Sequence, residues 1–298
     1  LAVDNREVGL EALPEGRHRF GKAPATRAAD NIADEKQLHP AEPTDTRSGR
    51  DAIRFARMKE EEPTQALFAS GISKRFGQRT ALRGVGFEAD RGEVVALIGP
   101  NGAGKTTLLS ILAGMTNPDE GQVSDSGGGV GWVPQQAALY RRLTVAENLR
   151  LFARLQGHAD PEARVDAMLE LTGLAERSSD QVGRLSGGNQ QRINIAIGLM
   201  AEPAVLLLDE PSVGLDPAQR AKLWQFILGL LDSGTAVVFS THDIQEAERY
   251  AQRIFVLSEG NAVFNGTAEG LRDAVVRPDA SSMDLETSFL AFIEKAGS

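Results

Sequence analysis

From Ala66 onward, short runs of β-branched and aliphatic residues alternate with segments whose apolar positions recur at helical spacing. That alternation predicts an α/β fold with a mainly parallel core sheet covered by helices. Val94–Ile98, Val205–Leu208 and Ala236–Ser240 form the strongest apolar runs, as expected of strands buried on both faces. Helix starts are legible from cap chemistry. Thr144 stands three residues before Glu147, ahead of Leu149, Leu151, Phe152 and Leu155, which is capping-box spacing; Asp160-Pro161 and Asp216-Pro217 place a cap residue before a first-turn proline. Near the end, Arg253–Leu257 and Ala262–Phe264 flank Glu259-Gly260-Asn261, the pattern of a hairpin. There is no internal repeat and no long heptad run.

Residues 1–65 read differently. Pro14, Pro24, Pro40, Pro43 and Pro63 are scattered among Ala, Asp, Glu and Arg, with apolar residues too sparse to form a repeating face. The expectation is a disordered N-terminal extension. It lacks the features of a secretory signal, since charge begins at Asp4 and no apolar core follows. The chain starts with Leu, and Met58 sits just ahead of Lys59-Glu60-Glu61-Glu62 and the strand-like run Ala66–Ile72. Met58 is therefore expected to be the native start, with residues 1–57 an upstream extension; a regulatory tail is the competing reading. Residues 66–272 would form the domain and 273–298 a short C-terminal helical tail.

Composition narrows the function classes. The 298 residues carry 32 Lys+Arg and 41 Asp+Glu, a formal charge of −9, and 41% apolar content supports a packed core. The first 65 residues hold 11 basic and 13 acidic side chains, the rest 21 and 28, so neither part has a basic field and no nucleic-acid partner is expected. With no cysteine, disulfide scaffolds, thiolate metal sites and cysteine nucleophiles are excluded. Apolar runs such as Val94–Ile98 fall far below the ~18 residues needed to cross a bilayer.

The chemistry concentrates in two places. Gly99-Pro100-Asn101-Gly102-Ala103-Gly104-Lys105-Thr106 fits G-x-x-x-x-G-K-[ST], directly after the Val94–Ile98 strand and before the helical run Thr107–Ala113. Glycines let successive main-chain N–H groups turn around a phosphate, and the helix N-terminus adds partial positive charge. Lys105 would bridge β- and γ-phosphates, and Thr106 would offer its hydroxyl to Mg²⁺. A plain Gly-rich turn would share the pattern but not the context. The second place is Val205-Leu206-Leu207-Leu208-Asp209-Glu210, where Asp209 is the candidate for holding Mg²⁺ and Glu210 for polarising an attacking water. Paired acids could otherwise be a solvated strand end.

Leu185-Ser186-Gly187-Gly188-Asn189-Gln190-Gln191-Arg192 resembles the signature of ATP-binding cassette (ABC) ATPases. It also reads as a helix start, with Ser186 as N-cap and Ile193, Ala196, Ile197 and Met200 as a core face. The resemblance covers roughly residues 66–272 and implies a P-loop NTPase fold of the ABC type, with an antiparallel β lobe and a helical signature subdomain. It implies a second cassette as partner, homo- or heterodimeric and head to tail, each signature (Ser186, Gly187, Gly188, Asn189) closing over the other's ATP. Gln135, in Gly131-Trp132-Val133-Pro134-Gln135, matches the Q-loop glutamine that senses metal and γ-phosphate, with Gln136 adjacent. Asp216, in Ser212-Val213-Gly214-Leu215-Asp216, matches the D-loop, and His242, in Ser240-Thr241-His242-Asp243, matches the switch. Phe76 occupies the position of an adenine-stacking aromatic, a core role being equally open; Thr107 completes the phosphate-loop set. Asp119–Val130 is compressed relative to many relatives, so a trimmed antiparallel lobe is expected. Trp132 and Trp224 read as packing residues.

What the resemblance implies is the ATP-binding and hydrolysing subunit of a membrane transporter. An integral membrane permease subunit would be the partner, with the cassette peripheral on the cytoplasmic face. The segment Leu139–Leu151 resembles the region that docks the membrane subunit. The short stretch after Leu271, closing in Met283-Asp284-Leu285-Glu286-Thr287-Ser288-Phe289-Leu290, resembles the drug- and polysaccharide-export (ABC-2) type. A soluble ABC ATPase acting on a metallocofactor scaffold is the alternative; a nucleotide-binding module without turnover would be expected to lack Glu210 or His242.

Overall fold

The computed structural model describes residues 65–125, 127–274 and 285–296. The expectations for the extension up to residue 64 and for the start at Met58 lie outside them.

A long hairpin opens the fold. Strands β1 (Gln65–Phe76) and β2 (Arg79–Asp90) pair antiparallel, and β4 (Glu120–Asp125) joins the other side of β1, giving a three-stranded antiparallel sheet in the order β2-β1-β4. The second sheet has six strands. Its order is β5 (Val130–Val133), β6 (Val205–Asp209), β7 (Ala236–Thr241), β3 (Val94–Ile98), β8 (Arg253–Ser258) and β9 (Asn261–Gly266), the first five mutually parallel and β9 antiparallel to β8. The β8–β9 turn holds Glu259 and Gly260 at φ 48° and 80°, the two-residue turn whose twist suits a hairpin.

Apolar burial explains why the core strands carry no alternating pattern. Along β3, Val94, Ala96 and Ile98 enter one core with the aliphatic residues of the helices, while Val95 and Leu97 enter a second core on the opposite face. In that second core, helix α1 (Lys105–Leu112) inserts Leu108, Leu109, Ile111 and Leu112 beneath Leu67, Ile72 and Leu82 of the antiparallel lobe. The first core is roofed by α2 (Val145–Leu155), α3 (Pro161–Thr172), α4 (Gly187–Gly198), α5 (Pro217–Gly229) and α6 (Ile244–Tyr250). Helices α2, α3 and α4 pack on one another as a separate helical layer.

The caps form as their chemistry dictates. Thr144 and Glu147 exchange both bonds of a capping box, and Asp160 and Asp216 accept from Ala163 and Gln219 main-chain N–H groups. Trp224 is fully buried, stacked on Tyr250 at 4.3 Å, edge-on to Phe239, and bonded through its indole N–H to Glu246. One expectation shifts: in α4 the fully buried apolar residues are Ile193, Ile195 and Ala196, followed by Met200 beyond the helix end, while Ile197 packs partly buried against the same core. This helix packs against β5, α2, α3 and α5, so its burial is not confined to one stripe. After β9 come α7 (Ala268–Ala274) and, in the tail region, α8 (Leu285–Ala296), whose Leu285 and Phe289 join the first core.

One half-buried pair ties β8 to the entry of β3. Arg253 donates to Glu93 through Nε (2.7 Å) and Nη2 (2.6 Å), a bidentate arrangement. Burial pushes the Glu93 carboxyl up, but the Arg253 guanidinium and the Asp90 main-chain N–H outweigh it and hold its pKa below the ordinary value. A carboxyl lowered in the folded state contributes stability that is full above its unfolded value and is lost as pH falls through the lowered one. Glu93→Gln is therefore expected to cost about 1–3 kcal/mol at pH 7 and to flatten the loss of stability below about pH 4.3. Urea melts at pH 7 and pH 4 measure this; identical pH dependence in both proteins would remove the pair as the cause.

Candidate active site

The candidate residues gather where parallel strands end. β3 lies between β7 and β8, and the carboxyl ends of β3, β6 and β7 open on the same side, the usual ligand position in such sheets.

The loop after β3 is shaped by close approach. Gly99 has φ 155°, and a Cβ there would lie 2.2 Å from the Leu257 carbonyl oxygen; Gly104, at φ 111°, would meet the Ala81 carbonyl oxygen at 2.7 Å. No larger residue fits either position, so the loop curls tightly into α1. Gly104 caps α1 without a side-chain bond, leaving first-turn N–H groups free of a side-chain acceptor. Lys105 is buried, at 6% exposure, and its Nζ donates to the carbonyls of Gly99 (2.8 Å) and Pro100 (3.2 Å). Burial pulls the ammonium below its ordinary pKa, opposed by the carboxylates of Glu210 and Asp209. Main-chain donors, an ammonium and the hydroxyls of Thr106 and Thr107 make a cradle with the chemistry of a polyphosphate site.

Three loops converge on one carboxylate beside this cradle. Glu210 Oε2 accepts from Gln135 Nε2 at 3.1 Å and lies 3.4 Å from His242 Nδ1. Glu210 is one of the few non-glycine residues in the left-handed backbone region, at φ 47°, a conformation costing about 1–3 kcal/mol. That turn bends the chain after β6. Asp209, 4% exposed, sits behind it and accepts from the Ser240 hydroxyl at 2.5 Å, while the Glu210 main-chain N–H donates to the same hydroxyl at 3.0 Å.

The cleft in front has a volume of about 700 Å³. Asn101, Gly102, Lys105, Thr106 and Thr107 line it together with Gln135, Glu210, His242, Phe76 and Arg79. Phe76 is 54% exposed, so the core alternative for this aromatic does not hold. Gly99, Pro100, Ala103 and Asp209 do not line the open cleft; Ala103 and Asp209 are buried behind it.

The signature residues lie elsewhere in the chain's surface. Ser186 caps α4, its hydroxyl accepting from the Asn189 N–H at 3.4 Å; Gly187 is exposed and Gly188 is buried against Gln219 of α5. Neither they nor Asp216, the exposed cap of α5, line the cleft. Two residues of the site were given no role by the sequence, although Ser240 opens the switch segment. Arg79 reaches from β2 to donate to the Gly102 carbonyl at 3.2 Å, and Ser240 follows the apolar run Ala236–Phe239 as the first of two hydroxyls that end β7. Asn194 of α4 also bonds the Pro134 carbonyl at 3.1 Å, tethering the Gln135 segment to the signature helix.

Known proteins resemble this chain in sequence and in fold. The sequence profile of the ABC transporter family matches residues 82–213. A daunorubicin resistance ATP-binding protein of Streptomyces coeruleorubidus is 39% identical over 220 residues, 70% of this chain and 70% of that one. A linearmycin resistance ATP-binding protein of Bacillus subtilis is 35% identical over 218 residues, covering 69% and 70%. A Nod factor export ATP-binding protein of Burkholderia lata is 37% identical over 230 residues, covering 73% and 76%. Among solved structures, the ATP-binding subunit of an ABC transporter superposes with TM-score 0.66 at 29% identity, over 76% of this chain and 99% of that one. A dimeric bacterial ABC transporter cassette superposes with TM-score 0.61 at 28% identity, over 67% and 98%. With its phosphate cradle, its three-loop carboxylate and relatives of this kind, the chain belongs to the ABC transporter family, among its ATP-binding, ATP-hydrolysing subunits.

Proposed function

We propose that this protein is the ATPase subunit of an ABC exporter, working at the cytoplasmic face of a membrane on an integral permease subunit. The observation that carries the reading is the meeting of Gln135, Glu210 and His242 in the phosphate cleft. The printed roles of the relatives, drug resistance and Nod factor export, support export over action on a soluble metallocofactor scaffold. No helix among the described residues is long and apolar enough to cross a membrane, so a partner would provide the path. Tyr140, 56% exposed ahead of α2, sits in the Leu139–Leu151 segment where that partner would dock.

A second cassette completes the site. Ser186, Gly187, Gly188 and Asn189 lie outside their own chain's cleft, which fits a role in closing over nucleotide held by a head-to-tail partner, as a dimeric relative suggests. Asp216 would signal across that interface.

In the proposed mechanism, Phe76 stacks on adenine, and Asn101, Gly102, Gly104 and their neighbours direct main-chain N–H groups to the phosphates. Lys105 leaves the carbonyls it now occupies only in part, neutralising β- and γ-phosphate charge. Among the described residues no group of three or more His, Cys, Asp and Glu forms a ready-made metal cluster, which suits Mg²⁺ held largely by the phosphates, with Thr106, Asp209 and Gln135 as protein partners. Mg²⁺ would offset the charge that develops on the phosphate oxygens. Glu210 orients a water and accepts its proton, and His242 holds the γ-phosphate end of the cleft. Closure of the two cassettes on ATP would drive the permease, and hydrolysis would reopen them.

A gentle detergent pulldown of Glu210→Gln protein with ATP and Mg²⁺, followed by mass spectrometry, tests the partner. A polytopic membrane protein is expected; recovery of only a soluble assembly would overturn the transport assignment while leaving the ATPase chemistry in place.

A further inference from the structure

One hydroxyl serves both acids at the end of β6. Ser240 is fully buried, and in the parallel register of β6 and β7 it stands opposite Asp209. Its single proton goes to Asp209 Oδ1 at 2.5 Å, and a lone pair of the same oxygen takes the Glu210 main-chain N–H at 3.0 Å. The two bonds fix each other's direction. Packing alone does not call for a hydroxyl there, because Ala236–Phe239 of the same strand and Val205–Leu208 of its neighbour are all apolar. Glu210 follows in the left-handed backbone region, a conformation that persists only where its surroundings hold it.

We infer that Ser240 is a positioning residue for hydrolysis: it aims the Asp209 carboxylate toward the cradle and pins the strained turn that projects Glu210 into the cleft. The inference rests on the ATPase reading above. It assigns to one side chain the spacing between the group proposed to hold the metal and the group proposed to orient water. Because Ser240 touches neither the cradle nor the cleft, its loss acts on these two acids and leaves the phosphate loop intact.

The test uses the full chain with Ser240→Ala, Ser240→Cys and Ser240→Thr. Cysteine keeps the shape with a slightly larger atom but donates weakly, and threonine keeps the hydroxyl. Three quantities are read: affinity for a fluorescent ATP analogue in EDTA, the MgCl₂ concentration that half-saturates thermal stabilisation by ATP, and kcat with KM. For Ala and Cys we expect EDTA affinity within about twofold of wild type and the MgCl₂ requirement raised roughly tenfold. Turnover should fall about 10- to 100-fold with KM nearly unchanged, the scale of a lost hydrogen bond to a charged group. Thr should return each value to within about threefold. Wild-type turnover and MgCl₂ requirement in folded Ala or Cys protein would overturn the inference, and so would loss of EDTA affinity in step with turnover. If the added Thr methyl prevents folding, the Ala and Cys pair decides alone. A failure of the ATPase reading itself would show instead in the unmutated protein, as absence of turnover.

Discussion

Glu210→Gln is expected to lower ATP turnover by roughly 10²- to 10³-fold while ATP still binds. The amide matches the carboxylate in shape and its oxygen can still accept from Gln135, so the three-loop arrangement survives. What disappears is the proposed proton acceptor, together with a negative charge that would face the γ-phosphate. Losing that charge also removes repulsion toward nucleotide, so affinity should hold or rise and an ATP-bound dimer should accumulate. Phosphate release and sizing chromatography with ATP measure the two effects. Turnover equal to wild type would sink the role given to Glu210.

The second large effect concerns Lys105→Ala, which should weaken ATP binding by about 10- to 100-fold, the scale of a lost charge-assisted hydrogen bond. Stability without nucleotide should change little. Burial already disfavours the ammonium, as its lowered pKa records, so the fold retains this charge for a ligand rather than for itself. Calorimetric titration with ATP and a thermal melt without it separate the two. Wild-type affinity would count against the cradle as the phosphate site.

Much of this was legible from residue order because the informative signals are local. A P-loop needs its glycines and lysine at fixed spacing, since main-chain N–H groups curl around a phosphate over only a few residues; Gly99–Thr106 satisfies that without reference to the rest of the chain. Caps such as Thr144 and Asp216 are equally local. Ser240 and Arg79 are different in kind. Each matters through a partner 30 or 23 residues away, Glu210 for the one and Gly102 for the other, and no spacing rule connects them. The exposure of Phe76 was undecidable for a related reason: an aromatic near the end of a strand reads the same whether it faces a core or a cleft. In α4 the signature helix is crowded by neighbours on several sides, so a single-stripe expectation missed the burial of Ile195.

The turn between β8 and β9 bears on the thermodynamics of binding. The Gly260 main-chain N–H donates to the Ala103 carbonyl at 3.1 Å, its own carbonyl accepts from the Arg83 N–H at 2.8 Å, and the Leu257 carbonyl fills the space behind Gly99. The phosphate loop is thus braced from behind by main-chain contacts made within the chain itself. A loop already held in its working shape gives up little conformational freedom when a ligand arrives, so less of the interaction with phosphate is offset by ordering. Nucleotide can then be gripped firmly and still released each cycle, because capture and release do not require the loop to fold and unfold.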